Sequence, residues 1–143
     1  MNPIAQSIAA IRKLLVLDGS SVAEPPLQVL NRTRGTVLAT RMETAGSGPS
    51  RRKGLLGRDR FEPGEGLWIV PCESVHTFFM RFPIDLVYLD RQRHVRKLRN
   101  AVGPWRLSAC FSAHSVIELP AGSIRAARTE PGDALEFSPA PQD

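Results

Sequence analysis

Twelve prolines and eleven glycines are spread over 143 residues, and this punctuation constrains the fold more than any other feature of the chain. Proline fixes φ and removes a backbone donor, and glycine weakens a regular element from within. Frequent interruption therefore favours short strands joined by turns over long helices. A chain of this length is one domain's worth and can bury a real core. With 42% hydrophobic and 23% charged residues it is not expected to be disordered.

The segments between the breaks read mainly as strands. "LQVLNRT" from Leu27 alternates, Arg34-Gly35 supplies a turn, and "TVLATRM" (Thr36 to Met42) returns as its antiparallel partner. "GSGPSRRKGLLGR" reads as a loop, then a short helix with Pro49 in its first turn, then a stop at Gly57. "LWIV" (Leu67 to Val70) is apolar on both faces and predicts a central, covered strand. Ser74 to Phe82 predicts a strand with His76, Phe78, Met80 and Phe82 on one face. Pro83 then marks a bend before a further strand over Ile84 to Leu89. "HVRKLRNAV" reads as a basic edge strand, where charge discourages edge-to-edge pairing. Gly103 to Ala113 reads as a crossing loop, "HSVIELP" as a strand, "AGSIRAART" as one helical turn and "EPGDALEF" as a turn with the last strand.

The division expected is an N-terminal arm over 1–24, a single β domain over 25–138 and a flexible tail over 139–143. Ile4, Ile8, Ile11 and Leu15 recur at helical spacing, which suits a short amphipathic helix within the arm. With no βαβ rhythm and no repeat, the expected architecture is mostly β: an antiparallel jelly-roll-like sandwich or half-barrel with one or two short helices. Arg12 and Lys13 interrupt the apolar N-terminal stretch, so neither a secretory h-region nor a membrane span is expected, and a cytoplasmic location follows as the default.

The formal charge is +5, with the excess concentrated in "RRKGLLGRDR" (Arg51 to Arg60) and "RQRHVRKLR" (Arg91 to Arg99). Such clusters suit an anionic partner, or simply a solvated surface. Arg51, Arg52 and Lys53 lie near the expected helix start, an unfavourable place for cations unless an anion sits there. No aromatic interleaving accompanies the basic stretches and no nucleic-acid motif is present, so a nucleic-acid partner is not expected.

Taken in order, "RRKGLLGR", "GEGLWIV", "HTFFMRFPIDLVYLD", "VIELPAG" and "PGDALEF" resemble the landmarks of the domain of unknown function 192 family, known from bacteria and archaea. The resemblance covers about residues 27 to 138. It implies a compact, mostly β domain of jelly-roll-like or half-barrel form, with a biochemical role that is unsettled. Where many relatives carry tryptophan, lysine and asparagine around the central methionine, this chain has Phe79, Arg81 and Phe82, which removes an amide from that position.

Three constellations could carry chemistry. Cys72, His76, Cys110 and His114 form a C-x3-H…C-x3-H set that tetrahedral zinc would accept, and a cysteine–histidine pair also suits thiol catalysis. On a straight strand the two members of a pair stand about 13 Å apart, so a loop must fold back to join them. Otherwise the cysteines are small hydrophobes in the core. Asp85 and Glu118 come second: if both enter one concavity near Arg81, they form an acid–base pair or grip a polar ligand. If not, each pins a bend by accepting backbone N–H groups or pairs with Arg81 or Arg58. Third, Phe78, Met80 and Phe82 line either an apolar pocket or the core.

No P-loop, dinucleotide fingerprint, serine elbow or H-E-x-x-H is present. The expected function is therefore a non-catalytic module binding a small ligand or a protein on a concave sheet face, through His76, Met80, Arg81, Asp85 and Glu118. The alternative is a small enzyme or metal-binding protein built on the two cysteine–histidine pairs. No cofactor is expected, zinc being the one candidate.

Overall fold

The computed structural model describes residues 25–141, so the expected arm over 1–24 lies outside the described residues, as do the side chains of Arg52 and Lys53. Nine strands form among the described residues: β1 (Leu27–Asn31), β2 (Thr36–Ala45), β3 (Glu65–Ile69), β4 (Ser74–His76), β5 (Ile84–Leu89), β6 (Val95–Val102), β7 (Leu107–Ala109), β8 (Ser115–Pro120) and β9 (Leu135–Pro139). Two short helices accompany them, α1 (Gly48–Lys53) and α2 (Ser123–Ala126). Seven strands make one curled sheet in the order β6-β5-β8-β3-β2-β1-β9, and β4 and β7 make a separate two-stranded ribbon. The protein is thus mostly β, and of the two forms expected it takes the half-barrel.

Local chemistry explains most of these elements. The β1–β2 hairpin turns at Gly35, whose φ of 69° suits a residue without Cβ and whose N–H reaches the Asn31 carbonyl at 2.8 Å. The apolar "LWIV" segment becomes β3 at the centre of the sheet, and the basic segment becomes β6 at one edge. A side chain at Gly66 would collide with Met42 and Leu119, its Cβ lying 2.7 Å from the Met42 sulfur. Any larger residue there must displace the end of the Met42 side chain and press on Leu119.

Several expectations are corrected. The sheet is not wholly antiparallel: β2 and β3 run parallel, from Arg41 opposite Glu65 to Ala45 opposite Ile69. Parallel neighbours need a crossover, and the segment carrying α1 provides one, so a single βαβ unit exists where no such rhythm was read. The helix stops at Gly54, whose N–H bonds the Ser50 carbonyl at 3.0 Å, before Gly57 is reached. Ser74 to Phe82 is not one strand either. β4 ends at His76 because the Thr77 carbonyl accepts from Met80 at 3.2 Å and from Trp105 at 3.0 Å, turning the chain. The expected crossing loop contains β7, and Ser108 within it accepts the Tyr88 hydroxyl at 2.9 Å.

The sheet buries apolar side chains on both faces. One face holds Val29, Met42, Val87, Leu119 and Phe137 beneath Ile124 of α2. The other holds Leu67, Ile69, Leu86, Tyr88 and Val116 beneath Leu55, Val75 and Met80. Each fully buried side chain of this size stabilises the fold by about 2 kcal/mol.

Asp85 locks α2 to the sheet. The helix begins at Gly122, which has no side chain to cap it. The buried Asp85 carboxylate substitutes from β5, accepting the N–H groups of Gly122 at 3.1 Å and Ile124 at 3.0 Å, and that of Ala101 at 2.8 Å. Charged acceptors of this kind contribute more than neutral ones, and their loss strands buried donors. Asp85→Ala is expected to lower the unfolding free energy at neutral pH by about 3 kcal/mol or more in urea titrations. A change below about 1 kcal/mol would contradict the capping role.

Candidate functional site

Glu118 is the polar group that the fold leaves unserved. On β8 it stands opposite Leu67 of β3 and Leu86 of β5, so both cross-strand neighbours are leucines. Only 5% of the residue is exposed, and its Oε2 has no hydrogen-bond partner. Trp68 Nε1 is the other buried polar side-chain atom without a partner among the described residues, but it sits among aromatic surroundings. The Trp68 ring packs on Phe137 at 4.4 Å, with the Arg93 guanidinium over both rings. Burial pushes the Glu118 carboxyl up to about 7, with the charge of Arg58 pulling the other way.

A cleft of about 520 Å³ leads to this carboxyl. One wall is the α1 crossover, contributing Arg51, Leu55 and Leu56; the other is the chain entering β4, contributing Cys72, Val75 and His76, with Met80 beside Glu118. The α1 wall is fixed by a reciprocal cap. Ser47 Oγ accepts the Ser50 N–H at 3.1 Å while Ser50 Oγ accepts the Ser47 N–H at 3.0 Å, and Pro49 fits the first turn. Arg51 donates to the Gly46 carbonyl at 2.8 Å.

A larger depression of about 800 Å³ lies elsewhere, bordered by Pro26, Arg41, Thr44 and Glu65. Its Arg58 is already paired with Glu43 at 2.8 Å and lies 3.9 Å from Glu65. None of the buried unpaired atoms belongs to it, so the smaller cleft has the stronger chemical claim.

The structure sorts the residues singled out from the sequence. Cys72, His76, Met80, Glu118 and Arg51 line the same cleft. Arg81 and Asp85 do not. Arg81 is exposed and pairs with Asp59, and Asp85 stands opposite Leu119, so it points to the face away from Glu118 and caps α2. The two carboxylates therefore share no concavity, because neighbouring strand positions alternate between faces.

The cysteine–histidine set does not assemble either. Among the described residues no three His, Cys, Asp or Glu side chains gather closely enough to hold a metal. The two segments do meet through their backbones, Cys72 N–H bonding the His114 carbonyl at 2.9 Å and Cys110 N–H the Glu73 carbonyl at 2.8 Å. Their thiols turn to local partners instead: Cys72 Sγ donates to the Ser74 carbonyl at 3.1 Å, and Cys110 Sγ lies 3.4 Å from Ser112 Oγ. Both are free thiols. Burial pushes the Cys72 thiol up, which opposes a thiolate nucleophile.

Three wall or anchor residues escaped the sequence reading. Leu55 and Leu56 were legible only as an apolar pair between Gly54 and Gly57. Thr77, fully buried, ties the loop beyond His76 to the chain before β7: its hydroxyl donates to the Gly103 carbonyl at 2.7 Å and accepts the Arg106 N–H at 2.9 Å.

The arrangement has clear kin. Residues 29–137 match the DUF192 family, described as an uncharacterized ACR, and the chain belongs to that family. A UPF0127 protein of Thermococcus sibiricus is 32% identical over 115 residues, covering 76% of this chain and 73% of its own length. A UPF0127 protein of Pyrococcus furiosus is 32% identical over 117 residues, covering 77% and 97%. Among solved structures, a Sinorhizobium meliloti protein named provisionally as a transcription regulator superposes with a TM-score of 0.71 at 20% identity, covering 82% of this chain and 98% of its own. A Novosphingobium aromaticivorans protein of unknown function gives 0.66 at 21% identity, covering 82% and 89%. These likenesses establish the fold.

A raised carboxyl has a thermodynamic signature. Between the ordinary value of 4.5 and about 7 the unfolded chain ionises while the folded chain keeps the Glu118 proton. Stability contributed by this group is therefore full below pH about 4.5, falls as pH rises to about 7, and is flat beyond. Glu118→Gln is expected to abolish that fall, gaining on the order of 3 kcal/mol over wild type between pH 4 and pH 8 in urea titrations. Parallel profiles would show that the carboxyl is not held in the apolar site.

Proposed function

We propose that the protein is a non-catalytic binding module whose cleft takes a small ligand with an apolar body and an N–H donor. The observation that carries this reading is the Glu118 oxygen, almost wholly buried yet without a partner, at a cleft rather than in a sealed core. Buried polar groups in native folds are nearly always satisfied, and a ligand donor would supply the missing bond. Leu55, Leu56, Ile69 and Val75 offer apolar walls for the ligand body, and Arg51 and His76 border the same cleft. Two points favour binding over catalysis: the Cys72 thiol is disfavoured as a thiolate, and Glu118 has no second carboxylate facing it across β5 and β8.

Titration of ¹⁵N-labelled protein with n-butylamine and with butyramide tests the reading. Saturable shifts are expected at the backbone amides of Gly54, Ser74 and Val75. Amine affinity should rise with pH as Glu118 ionises near 7, while butyramide affinity should change little. Glu118→Leu, which removes the acceptor but keeps an apolar side chain, should weaken both about tenfold. Shifts that never saturate, or that persist unchanged in Glu118→Leu, would defeat the proposal.

A further inference from the structure

Beside the cleft, whose lining includes His76 and Val75 of β4, the β4–β7 ribbon displays apolar side chains that the fold does not cover. In β4–β7 pairing, Val75 and Ser108 are buried, which leaves the His76–Leu107 pair on the outer side. From His76 a chain of rings continues outward: His76 stacks on Phe78 at 5.2 Å, Phe78 meets Trp105 at 5.7 Å, and Trp105 meets Phe79 at 4.7 Å. Phe79, Trp105 and Leu107 are 70%, 57% and 70% exposed, and Phe111, in the turn after β7, is 81% exposed. An ordinary monomer surface scatters such residues singly; a contiguous set marks an interaction site.

The two outermost aromatics are held out by backbone geometry. Phe79 and Trp105 have φ of 65° and 62°, a region L-residues with bulky side chains rarely adopt. Thr77 fixes both turns, since its carbonyl accepts the N–H of Met80 and of Trp105 and its backbone pairs with Arg106. The rings thus project as a ridge from a braced ribbon rather than lining a groove.

Charge selects the occupant. From Arg91 to Ile117 the sequence contains no Asp or Glu, while it contains Arg91, Arg96, Lys97, Arg99 and Arg106 besides Arg93, whose guanidinium lies over Trp68 and Phe137 on the other face of the sheet. Lys97 reaches the ribbon, its Nζ bonding the Ala109 carbonyl at 2.6 Å beside the Tyr88 ring, and Arg106, exposed between Trp105 and Leu107, donates to the Trp105 carbonyl at 3.5 Å. The nearest ribbon carboxylate, on Glu73, is at the end away from Trp105. We propose that this ridge docks the protein on an anionic lipid surface, with Phe79, Trp105 and Leu107 entering the headgroup boundary and the exposed Arg106 meeting lipid phosphates. A protruding aromatic ridge beside cations suits that boundary, where tryptophan is enriched and each basic residue adds attraction. A second copy of the chain would bring these same cations together. Single-stranded nucleic acid is held along a cationic groove, whereas these rings stand on a ridge.

Co-sedimentation of the full chain with phosphatidylcholine vesicles, with and without about one third phosphatidylglycerol, tests this at about 0.1 M salt. Binding is expected to the anionic vesicles, at least several-fold weaker to the neutral ones, and about tenfold weaker for Phe79→Ala/Trp105→Ala. Trp105 emission should shift to the blue on vesicle addition, and the shift should vanish in Trp105→Phe. Circular dichroism melting of the exposed-site variants should match wild type, separating lost docking from lost fold. No vesicle binding, equal binding by the double variant, concentration-dependent dimerisation through the ridge, or binding to a thymidine oligonucleotide but not to vesicles would each overturn the proposal.

Discussion

A single carboxyl set between two leucines is the one acid that this half-barrel buries without a partner among the described residues. Glu118 cannot turn away from Leu67 and Leu86, because strand side chains alternate strictly and a one-residue slip of β8 would carry Ile117 and Leu119 off the opposite core. Those residues, with Val116 on the Glu118 side, fix the register. The fold therefore imposes the burial of an acid, and the acid responds by holding its proton up to about pH 7. An ionised carboxylate in such a place costs several kcal/mol unless it is paired. The neutral acid, or a ligand donor, is the way out.

The same sheet shows what a satisfied carboxylate looks like. Asp85 is more deeply buried than Glu118, yet three backbone N–H groups converge on it and its role ends with anchoring α2. Asp133 is a second satisfied case. Burial alone would raise its carboxyl, but hydrogen bonds from Asn31, Arg34 and the Glu130 backbone outweigh that and hold it below the usual carboxylate range. Against these two, Glu118 is distinguished by what it lacks. Saturated acids brace the body, and the unsaturated one lies at the cleft.

Much of the architecture was legible because it rests on local chemistry. Gly35 announced the β1–β2 turn, the two-sided apolarity of "LWIV" announced a central strand, and the cations of β6 announced an edge. What stayed hidden depends on distant partners. The parallel pairing of β2 with β3 is masked by a crossover whose helix has only six residues, too short for helical periodicity to register. The strand read over Ser74 to Phe82 failed because its alternation is real in sequence, but Thr77 recruits bonds from Gly103 and Arg106, more than twenty residues away, and bends the chain after His76. The sequence left open whether Asp85 and Glu118 share a concavity or each accept backbone N–H groups, since nothing local reveals that β5 and β8 pair with Leu119 opposite Asp85; Asp85 does the latter. Cys72, His76, Met80 and Glu118 line one cleft, a grouping drawn from constellations that the sequence offered separately. Arg81, drawn off by Asp59, does not line it.

The central claim is that the Glu118 carboxyl is buried, unpaired and protonated well into the neutral range. A ¹³C-detected titration of glutamate side-chain carboxyls, with Glu118 assigned by its absence in Glu118→Gln, measures this without reference to any ligand. A Glu118 midpoint near 7, raised from the ordinary 4.5, is the expected result. A midpoint at or below the ordinary 4.5 would mean that the carboxylate has a partner or reaches water, and the cleft would lose its chemical focus.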